Sequence, residues 1–131
     1  MASTNPRPLS PHLTIWRWGP HMAVSILHRI TGVGLTIVGL AALTWWLIAI
    51  AGGAETYSHF TEFAGSAIGM IVLVGLTWAF FQHLLSGIRH LVMDSGAGFA
   101  LDTNKRFAIL TIVGSVLLTA LTWAIFLGVL A

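Results

Sequence analysis

The chain has 131 residues, of which 56% are hydrophobic and only 8% charged, and its mean hydropathy is +0.89. A water-soluble domain carries about 25% charged residues, so this composition excludes the soluble class and sets the membrane class before any motif is read. Six Lys/Arg against four Asp/Glu leave a formal charge of +2, too sparse for a nucleic-acid footprint, and the lack of cysteine excludes disulfides, thiolate metal sites and Cys-ligated iron–sulfur clusters.

In chain order, the segment 1–22 reads as extended and interfacial, because Pro8 and Pro11 each remove a backbone donor. Its prolines and polar residues stand where a secretory leader would be apolar. No cleavable leader is therefore expected, and the N-terminus should stay in the compartment of synthesis, as in a bacterial protein or a mature organellar one. The run 23–51, AVSILHRITGVGLTIVGLAALTWWLIAIA, exceeds the ~20 residues needed to cross a bilayer. Stretch 52–63 is expected as an outer (periplasmic) loop, and 64–93 as a second span. Stretch 94–106 is expected as a cytoplasmic loop, and 107–130 as a third span. Lipid offers the backbone no water to bond, and three runs cannot close a barrel, so all three spans should be α-helices.

The connectors set an expected orientation. Arg7 and Arg17 precede the first span, and Lys105 and Arg106 precede the third, whereas the first loop GGAETYSHFTEF has no Lys or Arg. By the positive-inside rule the N-terminus and second loop are cytoplasmic. Trp16 and Trp18 lie before the first span, and Trp45, Trp46 and Trp123 near outer helix ends, as an interfacial aromatic belt would place them.

The informative residues are those a bilayer excludes: Ser25, His28 and Arg29 in the first span, and Gln82, His83, Arg89 and His90 in the second. Intramembrane ionisable groups are costly, ~2.5–3.5 kcal/mol for a central Arg, and mark functional sites by default. At ~100° per residue, His83 and His90 are about 20° from eclipsed, with Gly87 between them, while Ser25, Arg29 and Gly32 share a face within about 60°. At 1.5 Å per residue, Arg29 lies roughly 10 Å inside its helix start, and His83 and His90 roughly 15 and 5 Å inside the exit of theirs. One polar pocket in the cytoplasmic half accounts for all of them. Each also has a plainer reading. His83 could be interhelical hydrogen-bond glue, Arg89 and His90 could snorkel to the interface, and Ser25 could be a small packing residue.

Imidazole without thiolate suits haem iron, whose chemistry depends on axial ligands and their surroundings. His83 is the candidate iron ligand, and Gly87 would leave room for a macrocycle against the helix. His28, Arg29 and His90, with Arg89 a further candidate, are the right types at the right depth to meet anionic propionates. His28 is displaced from His83 by about 6 Å along the membrane normal, awkward for one iron, so a second axial ligand should come from another chain. The expected fold is thus all-α, three transmembrane helices forming half of a haem-binding bundle.

The stretches RPLSPHLTIW, SILHRITG and HLLSGIRHLVMD resemble the cytochrome b556 subunit family of succinate dehydrogenase, the larger membrane anchor of respiratory complex II, in its mitochondrial and alphaproteobacterial branch. The resemblance runs over the whole chain, and S-x-x-H-R-x-x-G together with H-x3-G-x-R-H-x3-D is its specific signature. It implies an inner-membrane, four-subunit enzyme. A flavoprotein oxidises succinate, an iron–sulfur subunit passes electrons to ubiquinone, and two anchors share a haem b. By this resemblance His83 is the axial ligand, with the second histidine on the other anchor. Ser25 and Arg29 serve the ubiquinone site, and His28, Arg29 and His90 lie near the haem propionates. His90 and Asp94 are i, i+4, so Asp94 is expected to orient His90. The chain itself has no group for succinate chemistry. Competing readings are another b-haem quinone-oxidoreductase anchor, or a non-redox transport component. A transport path would need ionisable groups across the full depth of the bilayer.

Overall fold

The computed structural model describes residues 17–128, and all its regular elements are helical. The expectations placed on residues 1–16, including the extended stretch with Pro8 and Pro11 and the belt residue Trp16, lie outside the described residues. The first span starts at Pro20, three residues earlier than hydropathy suggests. Gly19 caps it in an extended conformation, and proline fits the first helical turn because its missing N–H would lack an intrahelical partner there.

This span runs as α1 (Pro20–Gly34), a π turn (Leu35–Gly39) and α2 (Leu40–Ala51). The π turn inserts an extra residue into the helical repeat, so the faces before and after it do not follow one 3.6-residue register.

The stretch expected as an outer loop is helical over Ala54–Gly65 (α3). Tyr57, Phe60 and Ala64 recur at helical spacing, and Phe60 and Phe63 both pack on Trp45 of α2 with ring centroids 5.1 Å away. An amphipathic helix tied by aromatics to the end of a span suits an interfacial position. α3 turns sharply into α4 (Ala67–Asp94), whose N-cap Ser66 accepts a hydrogen bond from the Gly69 amide at 3.1 Å. Gly69 is buried there, and a Cβ on it would lie 2.0 Å from the Phe63 carbonyl oxygen, so no other residue fits without movement.

After a turn with Gly96 and Gly98 at positive φ, α5 runs Leu101–Phe126. It begins six residues before the apolar run. Hydropathy marks where lipid starts, whereas helical hydrogen bonding continues into the polar interface, with Asp102 in the first turn favoured by the helix dipole.

α4 and α5 meet along small and polar residues. Gln82, Ser86 and Arg89 from α4 and Ala108, Thr111, Ser115 and Thr119 from α5 are all buried. That is how membrane helices approach closely without a hydrophobic drive between them. The large apolar side chains face outward instead: Ile71 is 72% exposed and Leu110 63%. Among the described residues three helical stretches, Pro20–Ala51, Ala67–Asp94 and Leu101–Phe126, are long and apolar enough to cross a membrane. The fold is an all-α membrane protein.

Candidate functional site

α1 and α4 cross where SILHRITG meets HLLSGIRH, and the crossing gathers three imidazoles. The His28 and His83 rings stack with centroids 4.1 Å apart and planes 5° apart, and the His90 ring centroid lies 5.1 Å from that of His28, tilted by 58°. The 6 Å axial offset deduced from residue counting is taken up by the side chains. Stacking nevertheless separates the two as ligands. Nitrogen lone pairs lie in the ring plane, so parallel faces cannot both point at one metal between them. Among the described residues, no three His, Cys, Asp or Glu side chains are arranged to hold a metal ion directly.

Hydrogen bonds orient the rings. The His83 Nδ1 lies 3.1 Å from the His28 carbonyl oxygen, an acceptor only, so Nδ1 carries the proton and donates. In the neutral ring Nε2 is then the nitrogen with the lone pair, the tautomer a metal ligand requires. The Ser86 hydroxyl donates to the Gln82 carbonyl at 2.6 Å and accepts from His28 Nδ1 at 2.7 Å. His28, Arg29 and His83 line an open groove of about 500 Å³ with Gly32, Val33, Thr36 and Ile37, the last two from the π turn. A Cβ at Gly32 would lie 2.9 Å from His83 Cε1, so the close approach of α1 to this ring depends on glycine.

Of the residues singled out in the sequence, His28, Arg29, His83 and His90 therefore lie at one α1–α4 crossing. Gly87 faces the same crossing, where a Cβ would make ordinary contact with His28 Cε1 at 3.9 Å. Ser25 sits one helical turn before Arg29, half-buried, outside the groove lining and without a hydrogen bond to the described residues. Arg89 neither snorkels nor joins the cluster. It is buried on the α5 side, where its Nη2 donates to Asn104 Oδ1 and its Nε has no partner among the described residues. Adjacent residues on a helix point about 100° apart, which sends Arg89 and His90 to different neighbours. Gln82 accepts from the Ser115 hydroxyl at 2.8 Å. Asp94 is exposed and makes no bond to His90.

Sequence reasoning passed over Thr31, Ser86, Asn104 and Ser115. Their signal was available: Thr31 and Ser86 each follow a histidine by three residues, and Thr111, Ser115 and Thr119 recur every four in a span that otherwise reads as uniformly apolar.

Fold and site together define a three-span membrane protein with an imidazole cluster at one end of its spans, open along one groove. This chain belongs to the succinate dehydrogenase/fumarate reductase transmembrane subunit family, whose model matches residues 3–122. It is 38% identical over 120 residues to the succinate dehydrogenase cytochrome b556 subunit of Paracoccus denitrificans, covering 92% of each chain. The same-named subunit of Rickettsia conorii is 41% identical over 119 residues, 91% of this chain and 92% of that one. The mitochondrial cytochrome b560 subunit of Sus scrofa is 34% identical over 125 residues, 88% of this chain and 71% of that one. These relatives support the reading as a complex II membrane anchor and give no support to the transport component.

Proposed function

We propose that this chain is the larger membrane anchor of a succinate:ubiquinone oxidoreductase, supplying one axial ligand of a b-type haem and part of a ubiquinone site. The observation that carries the reading is the His83 imidazole. Its Nδ1 donates to the His28 carbonyl, which leaves Nε2 free beside a groove of about 500 Å³. The residues fit the group: an imidazole whose Nδ1 faces a backbone acceptor, the cation of Arg29 on the same groove, the His28 ring stacked on it and His90 packed on His28. When bound, a b-type haem supplies one-electron redox chemistry.

His83 would hold the iron on this chain's side, with a histidine of a second, small anchor as the other ligand. Arg29, His28 and His90 would meet the propionates, and Gly87 adds no bulk to the face between His83 and His90. Ser25 and Arg29 bind the quinone. As electrons arrive, negative charge develops on the quinone carbonyl oxygens. A hydroxyl donor and a guanidinium would stabilise that charge most where water is excluded. Electrons come from an iron–sulfur subunit, itself reduced by a flavoprotein that oxidises succinate. This chain performs no succinate chemistry alone.

Orientation follows from charge. Arg17 precedes α1, and Lys105 and Arg106 lie in the first turns of α5, so in a three-span topology they share one membrane side. That side is the cytoplasmic face of a bacterial inner membrane, equivalent to the mitochondrial matrix. His28, Arg29, His83, Arg89 and His90 all fall toward that side, which suits one pocket rather than a path across the bilayer.

The test is a reduced-minus-oxidised spectrum of the purified complex. A b-type α-band is expected in the wild type and should vanish in His83→Ala. No haem by pyridine haemochrome overturns the haem assignment. Arg29→Ala should depress quinone reduction while succinate oxidation by a soluble dye persists, and wild-type quinone kinetics overturn its role.

A further inference from the structure

His83 belongs to α4, yet among the described residues the groups that bond or stack on its ring belong to α1. Its Nδ1–H points at the His28 carbonyl oxygen at 3.1 Å, with the Thr31 hydroxyl oxygen 3.4 Å away as a second, longer contact. Thr31 is 2% exposed, and its own proton is directed to the Leu27 carbonyl at 2.7 Å. Its oxygen lone pairs therefore remain available to the Nδ1–H. One ring face is covered by His28 at 4.1 Å. At Cε1, the ring atom between the two nitrogens, a Cβ on Gly32 would lie at 2.9 Å, closer than real Cβ contacts come. A side chain at position 32 would force the His83 ring or the helix backbone beside it to shift.

We infer that Thr31 and Gly32 are positioning residues for His83: beside the His28 carbonyl that takes its Nδ1 proton, they hold its ring orientation from the neighbouring span, and so tune the redox potential of the metal it ligates. This rests on the haem reading above. The second nitrogen of a ligating histidine usually donates to a carbonyl, carboxylate or water, and that bond raises the basicity of the ligating nitrogen. A more basic Nε2 favours the ferric state. Removing the Thr31 oxygen weakens the acceptor field at Nδ1–H, lowers that basicity and moves the potential in the positive direction. The His28 carbonyl remains in any side-chain variant, so the shift should be partial and ligation should persist.

The experiment is a spectroelectrochemical titration of the intact complex carrying Thr31→Val, Thr31→Ser and Gly32→Ala, with haem quantified by pyridine haemochrome. Thr31→Val conserves shape and should keep haem while its midpoint potential moves positive; Thr31→Ser, which retains the hydroxyl, should return it towards wild type. Gly32→Ala should change the low-spin ferric EPR signature or lose haem from an otherwise assembled complex. A residue that only packs would lower thermal stability without moving the potential, and Thr31→Ser would not restore it. If Thr31→Val does not assemble, Thr31→Ala carries the same expectation. A haem-replete Thr31→Val with wild-type potential, or Gly32→Ala with a wild-type ferric spectrum, overturns this inference alone. Absence of haem from the wild-type complex overturns the reading beneath it.

Discussion

The imidazoles of His28 and His83, 55 positions apart and on different spans, lie face to face with planes 5° apart and centroids separated by 4.1 Å. Two functions of His28 separate here, because its ring stacks on His83 while its backbone carbonyl receives the His83 proton. Replacing His28 by Ala removes the first and keeps the second. An aromatic-type contact of this kind is worth about 0.5–1.5 kcal/mol. His28→Ala should therefore lower the melting temperature of the complex modestly while the haem α-band persists, in contrast to its loss in His83→Ala. An α-band abolished in His28→Ala would show that the ring, not the carbonyl, controls ligation.

The α4–α5 contact predicts an asymmetry. Ser115→Ala leaves the buried Gln82 Oε1 without its donor, beside an Nε2 that has no partner among the described residues. An orphaned buried group costs ~1–3 kcal/mol, whereas removing the polar group itself costs little. Gln82→Met should thus be closer to wild type in thermal denaturation in detergent than Ser115→Ala. The reverse order would mean that Gln82 Nε2 finds a partner in the assembled complex.

Arg89 should be separable from the histidine cluster. Its guanidinium is held by Asn104 of α5, so Asn104→Leu leaves a buried charge with less compensation. Hydrogen bonds to charged groups contribute ~1.5–3 kcal/mol. The variant should lower the stability of the complex by about that amount, read from denaturation, with haem spectrum and quinone kinetics close to wild type. A spectral shift comparable to that of a His90 variant would place Arg89 at the cofactor after all.

The turn between α3 and α4 tests close approach. Gly69→Ala sets a methyl group 2.0 Å from the Phe63 carbonyl oxygen, while a Cβ at Gly65 meets nothing within 4 Å. Forced overpacking costs about 1–3 kcal/mol. Gly69→Ala should reduce expression and melting temperature, and Gly65→Ala should do neither. Equal behaviour of the two would mean that the α3 segment repacks freely.

Much of the fold was legible because bilayer chemistry is severe. Only helices satisfy their backbone within lipid, so long apolar runs announce spans directly, and His28, Arg29, His83 and His90 stood out because charge and polarity are rare there. The helix Ala54–Gly65 was missed, since an interfacial helix is polar enough to read as a loop. The start of α5 at Leu101 was missed because hydropathy reports the edge of lipid and not the end of hydrogen bonding. Arg89 and His90, neighbours in sequence, could not be assigned to their sides by depth alone.

By itself, then, the sequence determined the membrane class, the number of spans, and which side chains must be explained, because each of these depends on the cost of placing a residue in lipid. Only the tertiary structure decided what those side chains face. The π turn breaks the helical register, α1 lends its backbone carbonyl and Gly32 to a histidine of α4, and α5 claims Arg89 and Gln82. These are contacts between distant segments, set by how helices cross, and no local pattern of residues encodes a crossing.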